Sequence, residues 1–471
     1  MARPLDVIII GAGTAGLSAL REVRKRTDDF VLVNDGPYGT TCARVGCMPS
    51  KVLVEAANAF HARGKFAAFG IRGGEGLAVD LPAVLQRVRT LRDFFVAGVL
   101  EATADLGDRN LPGRARLLDA HTVQVGDRVL KASRIILATG ARPVLPPAWR
   151  ALGGRVLTTD ALFEQTDLPR RIGVVGLGAI GIEMAQALAR LGCEVTAFGR
   201  GERLAGLSDP EVNATLRKLL ASEFALHTGA DVALSAHGSG LRLQAGDTVA
   251  DVDAVLVAIG RRPNLDDIGL EALGVKLDAR GLPPFDPCTL QIADLPVYLA
   301  GDANAHAPIL HEAADEGYIA GRNALQDTPD RFRRRTPLGI VFSDPGTAFV
   351  GTRFEALPAG TVIGEIDFTR QGRARTGQRN QGLLRVYAAR ADGRLLGAEL
   401  CAPSGDHLAH LLALAIDREL TVFDLLRMPF YHPVIEEGLR TALRALARQV
   451  DGGGDASDLS LCPPLKAEAL D

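Results

Sequence analysis

The apolar residues of this chain fall into two successive regimes. In the first, short unbroken runs such as residues 7–10, 135–138 and 172–175 have the length of strands buried on both faces of a parallel sheet. Residues 15–23 and 182–191 read as helices following two of those runs, and residues 30–33 and 193–198 as the next strands. This strand–helix–strand order, met twice, predicts an α/β chain with two doubly wound units. From Pro337 the pattern turns β-rich (GIVFSDP, TVIGEIDF, LLRVYAAR, LLGAEL), and helices are expected at residues 407–417, 422–426 and 435–449. That order predicts a separate α+β domain. The basic run from Arg331 to Arg335 reads as a solvated linker face, and the glycine- and serine-rich stretch after Val450 as a mobile tail.

Both strand-to-helix junctions are glycine-rich. In GAGTAG, Gly11 permits a tight turn, Gly13 lets the backbone approach a pyrophosphate, and Gly16 allows close helix–strand packing. Gly176, Gly178 and Gly181 repeat the spacing in GLGAIG. An acidic residue ordinarily ends the second strand and accepts from a ribose; here Asn34 comes first and Asp35 second, and either side chain can accept. Two fingerprints mean two dinucleotides, and an enzyme holding two most simply passes a hydride between them. Two similar turn segments follow the two units. One is LATGARP, with Thr139 and Gly140; the other is VAIGRRPN, with Gly260. A further strand ends in Gly301-Asp302, before a helix-like stretch that His311 opens.

Composition narrows the class. A chain of 471 residues suggests about three domains and buries a large core without staples. With 53 basic and 56 acidic residues the net charge is -3, which gives no bias toward nucleic acid or a membrane surface. The apolar runs are too short to span a bilayer, and the chain enters its first strand without room for a signal peptide. A soluble, cytoplasmic protein is expected.

Of the six cysteines, only Cys42 and Cys47 are close in sequence, and such a pair in a cytosolic chain reads as redox-active. A five-residue step on a regular helix rises about 7.5 Å. A disulfide wants Cα atoms about 5.5 Å apart, so the segment must distort, and Gly46 allows it. A distorted bridge is more easily reduced.

Together GAGTAG, CARVGC-PSK, LATG, GLGAIG, LAGD and a late HPVIEE resemble the class I pyridine nucleotide–disulfide oxidoreductases, the group of dihydrolipoamide dehydrogenase, glutathione reductase and mercuric reductase. The resemblance implies two Rossmann-like domains binding FAD and NAD(P), plus a C-terminal α+β dimerisation domain. FAD is expected on Gly11, Gly13, Gly16, Asn34, Asp35, Thr139, Gly140, Gly301, Asp302 and His311. NAD(P)H is expected on Gly176, Gly178, Gly181, Arg200, Arg203 and Gly260. Cys47 becomes the thiolate beside the flavin, Cys42 the interchange thiol, and Lys51 with Glu183 the ion pair near the flavin. His432, oriented by Glu437, becomes the acid–base group. It serves the other subunit's cysteines, so the enzyme is a homodimer with shared sites. No metal is expected.

The implied boundaries are 1–150 and 266–335 for the FAD and central parts, 151–265 for NAD(P), 336–450 for dimerisation and 451–471 for the tail. The implied reaction passes electrons between NAD(P)(H) and a small dithiol or disulfide, as in dihydrolipoamide dehydrogenase. The alternatives are an NADPH-dependent glutathione-type reductase and a flavin-dependent metal-ion or quinone reductase. Mercuric reductases lack the histidine of the base dyad and carry paired C-terminal cysteines; here His432 is present and the tail has Cys462 alone. Gly199 stands where a ribose-binding glutamate is usual, with Arg200 and Arg203 after it, which leans toward NADP(H).

Overall fold

A computed structural model describes residues 3–453 and 458–459; Cys462 lies outside them. The first parallel sheet is built around the strand Leu5–Ile10, flanked by Phe30–Asn34 on one side and Arg128–Leu137 on the other. Val7, Ile8 and Ile9 are wholly buried: Val7 and Ile9 pack on the helical face, and Ile8 packs on the opposite face against the strands Ala115–Leu117 and Thr122–Val125. The strand Val297–Leu299 pairs in parallel with Arg128–Leu137, so the chain returns to this sheet after completing the second one. The helix Leu310–Asn323 then packs on the first helix, Thr14–Val23; a Cβ on Gly317 would stand 2.1 Å from the Ala15 carbonyl oxygen.

The second sheet is wholly parallel, in the order Ala225–Thr228, Glu194–Gly199, Arg171–Val175, Ala254–Val257, Val156–Leu157. A three-stranded antiparallel sheet (Ala233–His237, Gly240–Ala245, Thr248–Val252) covers it, packing Leu241, Leu243 and Val252 on Val175, Phe198 and Val255. The apolar pattern had not singled this addition out. The two turn segments pair with each other: Ala141–Pro143 runs antiparallel to Arg261–Pro263 and bridges the two units.

From Leu338 the chain forms one antiparallel sheet, ordered Leu338–Val341, Gly346–Gly351, Leu395–Ala402, Leu383–Ala389, Thr361–Asp367. Helices Gly405–Asp417, Val422–Leu426 and Glu436–Ala447 close its core. The basic run before it is more than a solvated face. Arg331 and Arg335 pair with Asp286 and Asp315, while Arg334, 17% exposed, is held by Glu312 and Glu316. Glu312 and Glu316 draw Arg334 inward, while Arg331 and Arg335 stay exposed. The tail is also tied down where described, because Asp458 pairs with Arg440 and Arg444 at 3.1 and 2.5 Å.

Candidate active site

The cysteines sit on either side of a helix break. Thr40 caps the short helix Thr41–Val45 by accepting from the Ala43 amide at 3.2 Å, and the longer helix starts afresh at Cys47 and runs to His61. Between them Gly46 takes φ -127°, ψ -113°, so close to the preceding turn that a Cβ would lie 3.0 Å from the Thr41 carbonyl oxygen. This break meets the distortion expected of the pair and lets the two thiols interact. The Cys42 thiol donates to Cys47, and this hydrogen bond, helped by the Lys51 charge against the cost of burial, lowers Cys47 to about 7. The same contact, together with burial, pushes Cys42 upward. One sulfur is therefore poised as thiolate and the other as thiol. Cys193 and Cys401 are buried, and burial raises them to about 11 and about 12.

Lys51, one turn along the same helix, reaches the helix Ala179–Arg190, where its ammonium lies 2.7 Å from Glu183 Oε2. Glu183 is almost fully buried, and its other oxygen accepts from the Phe342 amide at 2.9 Å. Cys42, Cys47, Lys51 and Glu183 line a cavity of about 270 Å³ with Gly13, Gly140, Gly301 and Asp302. Burial raises the Asp302 carboxyl, opposed by the Arg261 charge. Gly301 is pinned by Glu316, whose Oε2 accepts from the Gly301 amide at 2.6 Å and from the Asn304 amide group at 2.7 Å.

A second cavity, of about 500 Å³, is lined by Gly11, Asn34, Asp35 and Thr139. Asn34 and Asp35 divide the work that the sequence left open between them. The Asn34 amide is engaged in the turn, accepting from the Ala12 amide at 3.1 Å and donating to the Gly36 carbonyl at 3.0 Å, while exposed Asp35 lines the cavity beside it. Three features fit a flavin dinucleotide spanning these cavities. Nothing packs within 4 Å of a Cβ on Gly13 except the Ala138 oxygen at 4.0 Å; Thr139 Oγ1 is buried without a partner; and Asp302 faces the cavity as a lone carboxylate. Gly16 serves packing, since a Cβ there would sit 1.8 Å from the Gly11 carbonyl oxygen, and Gly11, at φ +110° beside the second cavity, makes the tight turn against the Ala138 carbonyl oxygen, 2.2 Å from its Cβ position.

The third cavity, about 690 Å³, is lined by Gly176, Gly178, Arg200 and Gly260. Gly181 repeats the packing role of Gly16, its Cβ position 1.7 Å from the Gly176 oxygen. Arg203 is not brought to this cavity; it pairs with Glu355 at 2.5 Å. His311 does not line the first cavity either, where its helix presents Leu310 and Ala313. Arg261, which lines both the first and the third cavities, went unassigned in the sequence although VAIGRRPN contains it. Glu316 and Phe342 carried no sequence signal, because their roles come from contacts made across the fold.

His432 Nδ1 lies 2.9 Å from Glu437 Oε1, and Glu437 Oε2 accepts from the Val434 amide at 3.2 Å. The His432 hydrogen bond, followed by the Val434 amide, lowers the Glu437 carboxyl despite some desolvation. The imidazole is 80% exposed and does not line the cysteine cavity of its own chain.

The family model described as pyridine nucleotide-disulphide oxidoreductase matches residues 5–317, and that of the corresponding dimerisation domain matches residues 338–443. Among curated proteins, a dihydrolipoyl dehydrogenase of Thermus scotoductus is 32% identical over 94% of this chain and 98% of its own. A mercuric reductase of Bacillus cereus is 28% identical over 97% of this chain and 73% of its own. Among solved structures, the HOCl-induced flavoprotein disulfide reductase RclA of Escherichia coli superposes with a TM-score of 0.81 at 23% identity, covering 94% of this chain and 99% of that one. LpdA of Mycobacterium tuberculosis gives 0.81 at 24% identity, over 93% and 99%.

Proposed function

From the premise that this chain belongs to the pyridine nucleotide-disulphide oxidoreductase family, we propose how its own residues divide the reaction of an FAD-dependent dithiol–disulfide oxidoreductase. The observation that carries the reading is the Cys42–Cys47 pair, split by the Gly46 break into a low-pKa and a high-pKa sulfur within one cavity. In the oxidative direction a substrate thiol attacks Cys42 Sγ of the disulfide, and Cys47 leaves as the better-stabilised thiolate. The second substrate thiol then attacks the mixed disulfide, closing the substrate disulfide and releasing Cys42. His432 takes the proton of the attacking thiol and returns one to the Cys42 sulfur, while Glu437 holds its ring in place. Bound FAD, held by the Gly13 turn, Asp35, Thr139 and Asp302, supplies the two-electron link between this pair and a pyridine nucleotide.

Because His432 is exposed in its own protomer, it acts in the partner's cavity, which makes the homodimer the working unit. Arg200, exposed at the coenzyme cavity with no carboxylate at Gly199, supports NADP(H) over NAD(H), with Arg203 engaged elsewhere.

Turnover of lipoamide, glutathione disulfide and a quinone, each with NADH and NADPH, tests this reading. Lipoamide-type disulfide turnover, lost in Cys42→Ser, is expected. Quinone or metal-ion turnover that survives Cys42→Ser, with no disulfide turnover, would replace it with the flavin-only alternative.

A further inference from the structure

On the helix Ala179–Arg190, Glu183, Gln186 and Arg190 share one face, and all three reach the same segment of the dimerisation domain, Phe342 to Asp344, which leaves the strand Leu338–Val341. Glu183 accepts from the Phe342 amide at 2.9 Å. Gln186 grips Asp344 with both ends of its amide, accepting from the backbone N–H at 2.9 Å and donating to the carbonyl at 2.9 Å. Arg190, 2% exposed, adds Asp344 Oδ2 at 3.1 Å and its carbonyl at 3.2 Å. The same guanidinium holds Glu223 at 2.7 Å and reaches Asn58 on the cysteine-bearing helix at 2.6 Å. Two rungs, Lys51–Glu183 and Asn58–Arg190, thus join the cysteine helix to the coenzyme-side helix. The segment caps both, with the Phe342 ring 4.4 Å from the Lys51 ammonium.

We infer that the segment Phe342 to Asp344, held by Gln186 and Arg190, is the positioning device that fixes the Lys51 ammonium beside Cys47. A lysine on a four-carbon stem does not stay in one place by itself. Here the Phe342 ring contacts the ammonium, and the Phe342 amide occupies the second oxygen of its partner Glu183, so that carboxylate cannot turn away. The dimerisation domain thereby reaches the redox pair of its own protomer. The inference rests on Cys47 being the redox thiolate, but its test does not use turnover.

The ionisable groups facing Cys47 are Cys42, Lys51 and Glu183; those around Arg190 are Glu223, Asp344 and His61. Changing any of them would alter the field directly, so the discriminating variant is the neutral Gln186→Met. In a Cys42→Ser background, the pH dependence of iodoacetamide alkylation at Cys47, located by mass spectrometry, reads its ionisation. Gln186→Met is expected to raise the midpoint by about one pH unit, slowing alkylation at pH 6 about tenfold. Combined with Lys51→Met, it should add nothing further. Where Gln186→Met does not fold, Phe342→Leu at the half-exposed ring is expected to move the midpoint the same way. An unmoved midpoint, or an equal shift without Lys51, would overturn the inference. Loss of disulfide turnover with these shifts intact would instead count against the proposed reaction alone.

Discussion

At Cys47 the outcome turns on which of three effects wins. Burial alone would raise a thiol, as it does at Cys193 and Cys401. The hydrogen bond from Cys42 and the Lys51 charge overcome it, so the reduced protein should carry a thiolate that forms near pH 7, well below an ordinary thiol. Thiolate absorbance near the ultraviolet edge, titrated against Cys47→Ser, checks this; a midpoint near 9 would mean that the sulfurs do not interact. In the proposed reaction His432 is the proton relay, and it lines no part of the cysteine cavity of its own chain. His432→Gln should therefore lower disulfide turnover by roughly 10²–10⁴-fold while leaving FAD retention unchanged. The redox pair was readable from the sequence because its chemistry lies within six consecutive residues. Asp35 could not be separated from Asn34 there, since only the fold reveals that the Asn34 amide is spent on Ala12 and Gly36.

Among the elements, the helix Pro210–Ala221 ties the second dinucleotide unit to the dimerisation sheet. Its cap, Asp209, is fully buried, accepts from the Glu211 and Val212 amides at 3.0 and 3.4 Å, and receives Arg385 at 2.7 Å and the Tyr387 hydroxyl at 2.7 Å. Asp209→Ala would remove the cap and leave the largely buried Arg385 guanidinium with only the exposed Glu365, at 3.1 Å, as its acidic partner. A loss of about 3–5 kcal/mol in unfolding free energy is expected from denaturant titration. A loss below about 1 kcal/mol would mean that Arg385 finds water. Elements whose apolar period is local were legible: the predicted helices at residues 407–417 and 422–426 match Gly405–Asp417 and Val422–Leu426. The antiparallel cover from Ala233 to Val252 was not legible, because its short, half-exposed strands alternate weakly and gain their burial only against the sheet beneath.

For the whole molecule, the chain order explains the architecture. The polypeptide leaves the first sheet, builds the second, and returns through Val297–Leu299, so the paired turns Ala141–Pro143 and Arg261–Pro263 act as the bridge between them. Three cavities open around that bridge, and Arg261 borders two of them. No helix among the described residues is long and apolar enough to cross a membrane. The most direct test of the central claim is anaerobic reduction of the FAD-loaded protein by one equivalent of NADPH or NADH. Two new thiols, mapped by mass spectrometry to Cys42 and Cys47, should appear together with a long-wavelength absorbance band that is absent in Cys47→Ser. Full reduction of the flavin with no new thiols at those positions would contradict the account.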